Sequence, residues 1–569
     1  MAPDSVGRKT ARPGCRLLNQ YLRAGFEPCR VCGSPLRGLS LQRVQNRSGS
    51  LGQTTSTERR KTGADGLFNK RHPGRAEFFP PPKSGGHSLF RLANPPLRRY
   101  AFACLLLVPM PGRAKLFLVE LGATLSLAIP MMVGQFGQML MGITDTVVLG
   151  RVGVIQLAAI GFSNTLLGTL YVGGIGVLAS VGIFAAQAHG AKLDSAKVEV
   201  LRSAFWLSLF VGTSTAVIVF ALLPVLTVFG EPAPVEIAAR PYLAIVGLSL
   251  IPALGSMTAK TYCEALGKPV TPTVILYAGV ILNVALNLPL VFGWFGLPAL
   301  GLVGSAIATL CARIFVFIGT IGYALFLTRL RWQVLTLSGL SWQKMGTLFR
   351  TGLPIGLQYV AEAGAFNFGA IMMGWIGTIP LAAHQIVLTC AATTFMFPLG
   401  ISIAAGVRLG HAVGSQTYSA LRRIALGAIM ISVLMAIGFA VIYLTLGRQT
   451  ALLFTNETEV VDLAARLMII AGLFQLADGI QVASAGCLRG LADIRLPMLI
   501  GIFCYWAVAI PTGYIFAFHV HMGPTGVWIG LAAGLFVAAI LLTWRLNAMT
   551  APGRKGRFVF AGTENLETS

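Results

Sequence analysis

The sequence predicts an all-α integral membrane protein whose twelve transmembrane helices form two parallel six-helix repeats. Three observations carry that expectation. The 569 residues are 55% hydrophobic and only 11% charged, where a soluble domain carries roughly 25% charged residues. Long apolar runs with few charges recur from about residue 116 to 547, and each is long enough to cross a hydrocarbon core of about 30 Å. The chain also repeats itself. Pro130, Gly153, Ile155 and Leu157, which opens Leu-Ala-Ala, return as Pro354, Gly377, Ile379 and Leu381 at a constant offset of 224 residues. The offset persists to Gly190 and Gly414, so we read an internal duplication.

Taken in order, residues 1–114 are rich in Arg, Pro, Gly and Ser without periodicity, a composition that favours disorder. Cys29-Arg-Val-Cys32 resembles half a zinc site, but no second pair follows. Ala101–Pro109 is apolar but too short to span. Residues 1–100 hold 19 Lys/Arg against 5 Asp/Glu, so much of the net charge of +24 belongs to a polar lead. It is no argument for nucleic acid as a partner.

Twelve spans follow, at about 118–149, 156–187, 202–227, 238–263, 271–294 and 299–327, then 349–375, 381–408, 421–446, 461–486, 496–518 and 524–546. The first six make an amino-terminal lobe (115–327) and the last six a carboxy-terminal lobe (349–547), joined by a linker (328–348) and closed by a tail (548–569). The even-numbered gaps carry Lys192, Lys197, Lys268, Arg329, Arg331, Lys344, Arg422, Arg423, Arg489 and Arg495. Positive loops stay inside, so both termini are expected in the cytoplasm of an inner (plasma) membrane protein. Because six is even, the repeats enter the membrane in the same direction, which predicts lobes related by an axis along the membrane normal.

An ionisable group near the bilayer centre costs about 2.5–3.5 kcal/mol on insertion scales and is a functional candidate by default. Glu362 lies about 16 Å, and Asp478 about 12 Å, from the cytoplasmic ends of spans seven and ten, at 1.5 Å per residue. Two acids at similar depth suit Na⁺, a proton or a cationic substrate. Ion and substrate would compete for one negative charge, as an antiporter requires; the plainer reading is that an acid only pairs with a buried polar group. Asp145 lies near the outer end of span one, beyond Pro130. Proline lacks an N–H and can kink the helix, freeing a carbonyl to line a cavity, and Pro354 is its repeat. Asn283 and Asn287 share a face of span five and serve either a substrate or helix packing. Gln135 and Gln138 carry the same two readings. His384 is expected at the interface, and Arg313 is expected to snorkel or pair. Scattered cysteines in apolar runs read as small core residues.

Signatures that are missing narrow the function. The sequence has no G-x-x-x-x-G-K-[ST], H-E-x-x-H or G-x-S-x-G and no potassium-filter motif. That argues against ATP hydrolysis by this chain, against the common membrane proteases and esterases and against a potassium channel, and no cofactor is expected. Secondary transport remains.

The stretch from Pro130-Met-Met-Val-Gly-Gln to Thr144-Asp145-Thr, with Gly150-Arg-Val and Leu157-Ala-Ala, resembles the first helix of MATE (multidrug and toxic compound extrusion) transporters of the NorM-like branch. Ala186-Gln187, Glu264-Ala-Leu-Gly-Lys268-Pro, Gly352-Leu-Pro354, Ala383-His384-Gln385 and Leu488-Arg489-Gly490 extend the likeness over about residues 115–550. The resemblance implies a V-shaped pair of six-helix lobes and alternating access. It also implies export of cationic or amphipathic small molecules in exchange for Na⁺ or H⁺; the chain itself is expected to act as a monomer among membrane lipids. Glu362 and Asp478 would then be the cation-site acids, ligating the metal if Na⁺ is the coupling ion, and Asp145 the first-helix coupling acid. The basic lead is foreign to the family pattern. A flippase for lipid-linked precursors is the alternative within transport, though it wants a strongly cationic cavity. A non-transporting receptor or scaffold would tolerate neutral residues at 362 and 478.

Overall fold

The computed structural model describes residues 112–551, except Glu231, Leu297, 330–335 and 337–339. The expectations for Cys29, Cys32 and 101–109, and most of those for the lead, linker and tail, lie outside the described residues. Residues 112–114, read as the end of the lead, already belong to the first helix.

Twelve long helical segments are present among the described residues. They are α1 (Gly112–Gly150), α2 (Val154–Gly190), α3 (Asp194–Leu222), α4 (Ala233–Ala265), α5 (Val270–Phe292) and α6 (Leu302–Thr328). Then come α7 (Trp342–Ile376), α8 (Thr378–Gly414), α9 (Leu421–Leu452), α10 (Thr458–Gly490), α11 (Arg495–His519, with wider π turns over Phe503–Ala509 and Ile515–His519) and α12 (Pro524–Thr550). Eleven are apolar enough to cross a membrane. The twelfth, α7, carries Gln358, Glu362 and Asn367 through its middle. Gly301 and Gly523 adopt φ of +54° and +56° and turn the chain into the last helix of each repeat, a conformation glycine adopts without strain.

Packing repeats as the sequence does. In the first lobe α4 packs on α2, α3 and α6, and α5 on α6; in the second, α10 packs on α8, α9 and α12, and α11 on α12. Between lobes, α2 meets α7 and α8 meets α1, while α2 and α8 also meet each other. A Cβ on Gly176 would stand 2.5 Å from Gly356 Cα, and one on Gly400 would stand 2.7 Å from Met132 N. Adding 224 to 176 and to 132 gives 400 and 356, so one contact is the repeat image of the other. The same holds for Gly190 against His411 and Gly414 against Gln187. Such exchange is what parallel repeats about one axis require.

The lobes meet at the end that carries the basic loops. There one apolar core draws Leu178, Val181 and Ala185 from the first lobe and Ile401, Leu409 and Ala412 from the second. Ion pairs between Lys344 and Glu199 and between Arg408 and Glu120 tie the rim, and His411 Nε2 lies 2.6 Å from Ala265 O. Toward the other end the buried apolar residues divide into one cluster within the first lobe, around Leu243, and one within the second, around Trp528. The result is a V closed at its basic end.

Candidate functional site

Each lobe encloses a polar cluster, and the two are built differently. In the first, Asp145 is 5% exposed. Its Oδ1 accepts from Asn287 Nδ2 at 2.8 Å and its Oδ2 from Thr309 Oγ1 at 2.7 Å. Asn283 Nδ2 donates to Thr309 Oγ1 at 3.1 Å, and Asn287 Nδ2 also reaches Asn283 Oδ1 at 3.2 Å. Three helices, α1, α5 and α6, thus converge on one carboxylate. The i, i+4 spacing of Asn283 and Asn287 puts both on one face, and that face serves Asp145. Thr309 went unremarked in the sequence because a threonine in an apolar run usually returns its hydroxyl to its own helix, as Thr320 does.

Beside Asp145 is a partly open cavity of about 220 Å³ lined by Gln138, Tyr171, Tyr242, Thr309 and Arg313. Arg313 forms no ion pair among the described residues. Its Nη1 donates to Ser249 Oγ at 2.6 Å, and its guanidinium lies 6.0 Å from the centre of the Tyr171 ring.

Around the Pro130 kink, α5 supplies hydroxyls to α1. Tyr277 donates to Val133 O at 2.9 Å, and Thr273 Oγ1 stands 3.3 Å from Pro130 O. Gln135, expected in the substrate cavity, accepts instead from Lys260 Nζ at 3.1 Å. Lys260 pairs with Glu264 at 3.1 Å, their side chains 4% and 1% exposed. The sequence reading missed this buried pair because Lys260 stands close to the expected end of span four and resembles an ordinary boundary charge. The i, i+4 acid was the available signal. Pro354 stands between Gly352 and Gly356, where α7 crosses α2 at Val177, so it belongs to the contact between lobes.

The second cluster joins α7, α10 and α11. Glu362 is half-buried and its Oε1 accepts from Tyr505 OH at 2.8 Å. Asp478 is 4% exposed, near enough to Glu362 for the two charges to act on each other, and both act on Tyr505. Tyr505 sits in the first π segment of α11, a distortion often found at functional sites. Phe366, one turn beyond Glu362, packs on Tyr505 and Phe474, and Phe474 packs on Trp528. His384 overturns its interfacial reading. It is fully buried against Trp528, with ring centres 5.6 Å apart, because α8 begins six residues earlier, at Thr378, and carries it inward.

The sequence model of the MatE family matches residues 130–288 and 354–515, two blocks that begin at the two repeated prolines. The chain belongs to the MATE family. It is 34% identical to a probable multidrug resistance protein NorM of Bradyrhizobium diazoefficiens, over 76% of this chain and 94% of the relative. It is 36% identical to one from Burkholderia mallei, over 75% and 92%. Its fold superposes on the crystal structure of the eukaryotic MATE transporter AtDTX14 with a TM-score of 0.69, at 20% identity, covering 76% of this chain and 96% of that one. The protein is thus a multi-pass membrane protein of the MATE/NorM multidrug efflux family, whose members are transporters and not enzymes.

Proposed function

We propose that this MATE protein is a secondary antiporter of the inner membrane that exports cationic and amphipathic small molecules in exchange for Na⁺ or H⁺. The observation that carries the reading is the Glu362, Asp478 and Tyr505 cluster, in which two acids share a membrane-buried site with one hydroxyl donor. Two like charges in low dielectric repel unless a cation or proton joins them, and two carboxylates with a phenol are hard oxygen donors suited to Na⁺.

In this mechanism both termini and the basic loops lie in the cytoplasm, so the V stands open to the outside. The ion enters from outside at Glu362 and Asp478, while Asp145 supplies a second acidic group in the first lobe. The lobes then rock about the crossings of α2 with α7 and of α8 with α1, and the cavity opens to the cytoplasm, where substrate displaces the ion. Ion and substrate bias the two states only by binding them unequally. The chain acts as a monomer among lipids and needs neither ATP nor a cofactor. The first-lobe cavity sets a single arginine, Arg313, beside Asp145, which is not the strongly cationic cavity that a flippase for pyrophosphate would need.

The test is ethidium efflux from vesicles under an imposed Na⁺ or proton gradient, comparing the unaltered protein with Glu362→Gln and Asp478→Asn. One gradient is expected to drive efflux. Either variant should reduce it to roughly a tenth or less, since a contact to a charged group is worth about 1.5–3 kcal/mol and about 1.4 kcal/mol is tenfold. Unchanged efflux in both variants would move coupling to Asp145.

A further inference from the structure

We propose that Arg489 sets the ion affinity of the second-lobe site: its fixed positive charge, held on the cytoplasmic side of Glu362 and Asp478, keeps the cation bound loosely enough to be released. The inference rests on the export reading above and adds to it a positioning residue that governs how the ion leaves.

Arg489 lies in the last turn of α10, at the basic end of the molecule. Side chains on a helix lean back toward its N-terminus, and this one turns into the lobe to reach α7 and α8. Its Nη1 donates to Tyr359 OH at 2.8 Å and its Nη2 to Ser402 Oγ at 3.3 Å, and its guanidinium lies 5.5 Å from the centre of the Tyr359 ring. Both anchors adjoin the acids. Tyr359 is one turn before Glu362 on the same face of α7, and Ser402 Oγ donates to the carbonyl of Val482, one turn beyond Asp478, at 2.8 Å. The guanidinium therefore stands on the basic-end side of the acid pair, and its charge acts on Glu362. Tyr505 and Cys504 are further titratable groups around the pair. No ion pair joins Arg489 to a carboxylate among the described residues, so no nearer acid cancels its charge. The first lobe is built otherwise. Counted from the ends of α4 and α10, Glu264 takes the place of Arg489, and it pairs with Lys260 on its own helix. A guanidinium keeps its proton, and a fixed cation weakens the hold of neighbouring acids on any other cation. Passage of an ion requires a site strong enough to fill and weak enough to empty.

The experiment is ethidium efflux from proteoliposomes holding the purified full chain, over a range of concentrations of whichever ion, Na⁺ or H⁺, drives it. Arg489→Gln should lower the half-maximal ion concentration about tenfold, as loss of a nearby like charge does. It should lower the maximal rate as well, because the ion leaves more slowly. Arg489→Lys keeps the charge but not the planar fork, and should hold the half-maximal concentration within about threefold of the unaltered value. Tyr359→Phe keeps the charge and removes its anchor, so it should leave that concentration unchanged or raise it. An unchanged or raised concentration in an Arg489→Gln protein that unfolds at the same temperature as the unaltered one would make Arg489 a clamp between α7, α8 and α10 and overturn the proposal. A value as low in Arg489→Lys as in Arg489→Gln, or a lowered value in Tyr359→Phe, would trace the effect to lost hydrogen bonds and overturn it too. These outcomes leave the export reading standing. Efflux driven by neither gradient in the unaltered protein would overturn that reading and the proposal together.

Discussion

The first lobe keeps its buried acids in the company of protein groups, whereas the second leaves two acids together with a single hydroxyl. Asp145 has Asn287 and Thr309 on its two oxygens, and Glu264 has Lys260, itself held by Gln135. Glu362 has Tyr505 and, at longer range, the charge of Arg489, and Asp478 has chiefly the charge of Glu362 beside it. Paired polar groups stabilise a fold, and unbalanced charge invites a ligand. On the export reading proposed above, this difference gives structure and positioning to the first lobe's acids and ion capture to the second's, although the helices around them are repeats of one another.

The largest expected effect tests the structural side. Lys260→Met removes one partner of a buried pair and leaves Glu264 charged and unpaired, a change worth about 3–5 kcal/mol of stability. Thermal unfolding of the detergent-solubilised protein should fall clearly for this variant. It should not fall for Glu362→Gln measured without coupling ion, because that change relieves repulsion with Asp478. If Glu362→Gln destabilises as much as Lys260→Met, the contrast between lobes is wrong.

A smaller effect sharpens the same contrast. Thr309→Val keeps the shape of α6 but takes the donor from Asp145 Oδ2 and leaves Asn283 Nδ2 without its acceptor. A buried group stripped of its partner costs about 1–3 kcal/mol. The expected result is a measurable loss of thermal stability, with ethidium efflux lowered but still following the same ion gradient. A switch of the coupling ion would place ion selection in the first lobe.

The architecture was legible because it rests on features that a one-dimensional pattern carries. Apolar length gave the spans, the basic loops gave their alternation, and the offset between Pro130 and Pro354 gave the parallel repeat, down to the exchanged contacts of Gly176 and Gly400. Glu362, Asp478 and Asp145 were also visible, as acids in places where acids are costly. What remained hidden was pairing across helices. Nothing in the sequence told Asn287, which serves Asp145, from Gln135, which serves Lys260, since each is an amide near a candidate cavity. His384 was misplaced for a related reason. An α8 beginning at Thr378 rather than 381 carries it inward, and a hydropathy reading does not fix a helix start to within a turn. Lys260 and Thr309 were missed because a boundary charge and a mid-helix threonine are common in any membrane helix.

The smallest expected effect bears most directly on the ion site. Tyr505→Phe removes the hydroxyl that donates to Glu362 and keeps the ring that packs on Phe366. Glu362 is only half-buried, so water can replace the lost donor, and the stability change should stay within about 1 kcal/mol. In the proposed ion site the hydroxyl is also an oxygen ligand for a cation held by the two acids. Its loss should therefore raise the ion concentration for half-maximal ethidium efflux by roughly threefold to tenfold, which is about 0.7–1.4 kcal/mol, while the maximal rate is largely kept. An unchanged half-maximal concentration would leave Tyr505 as a packing residue and reduce the ion site to its two carboxylates. A collapse of stability would show instead that the second lobe depends on its hydroxyl as the first depends on Thr309, and the division of labour between the lobes would fail.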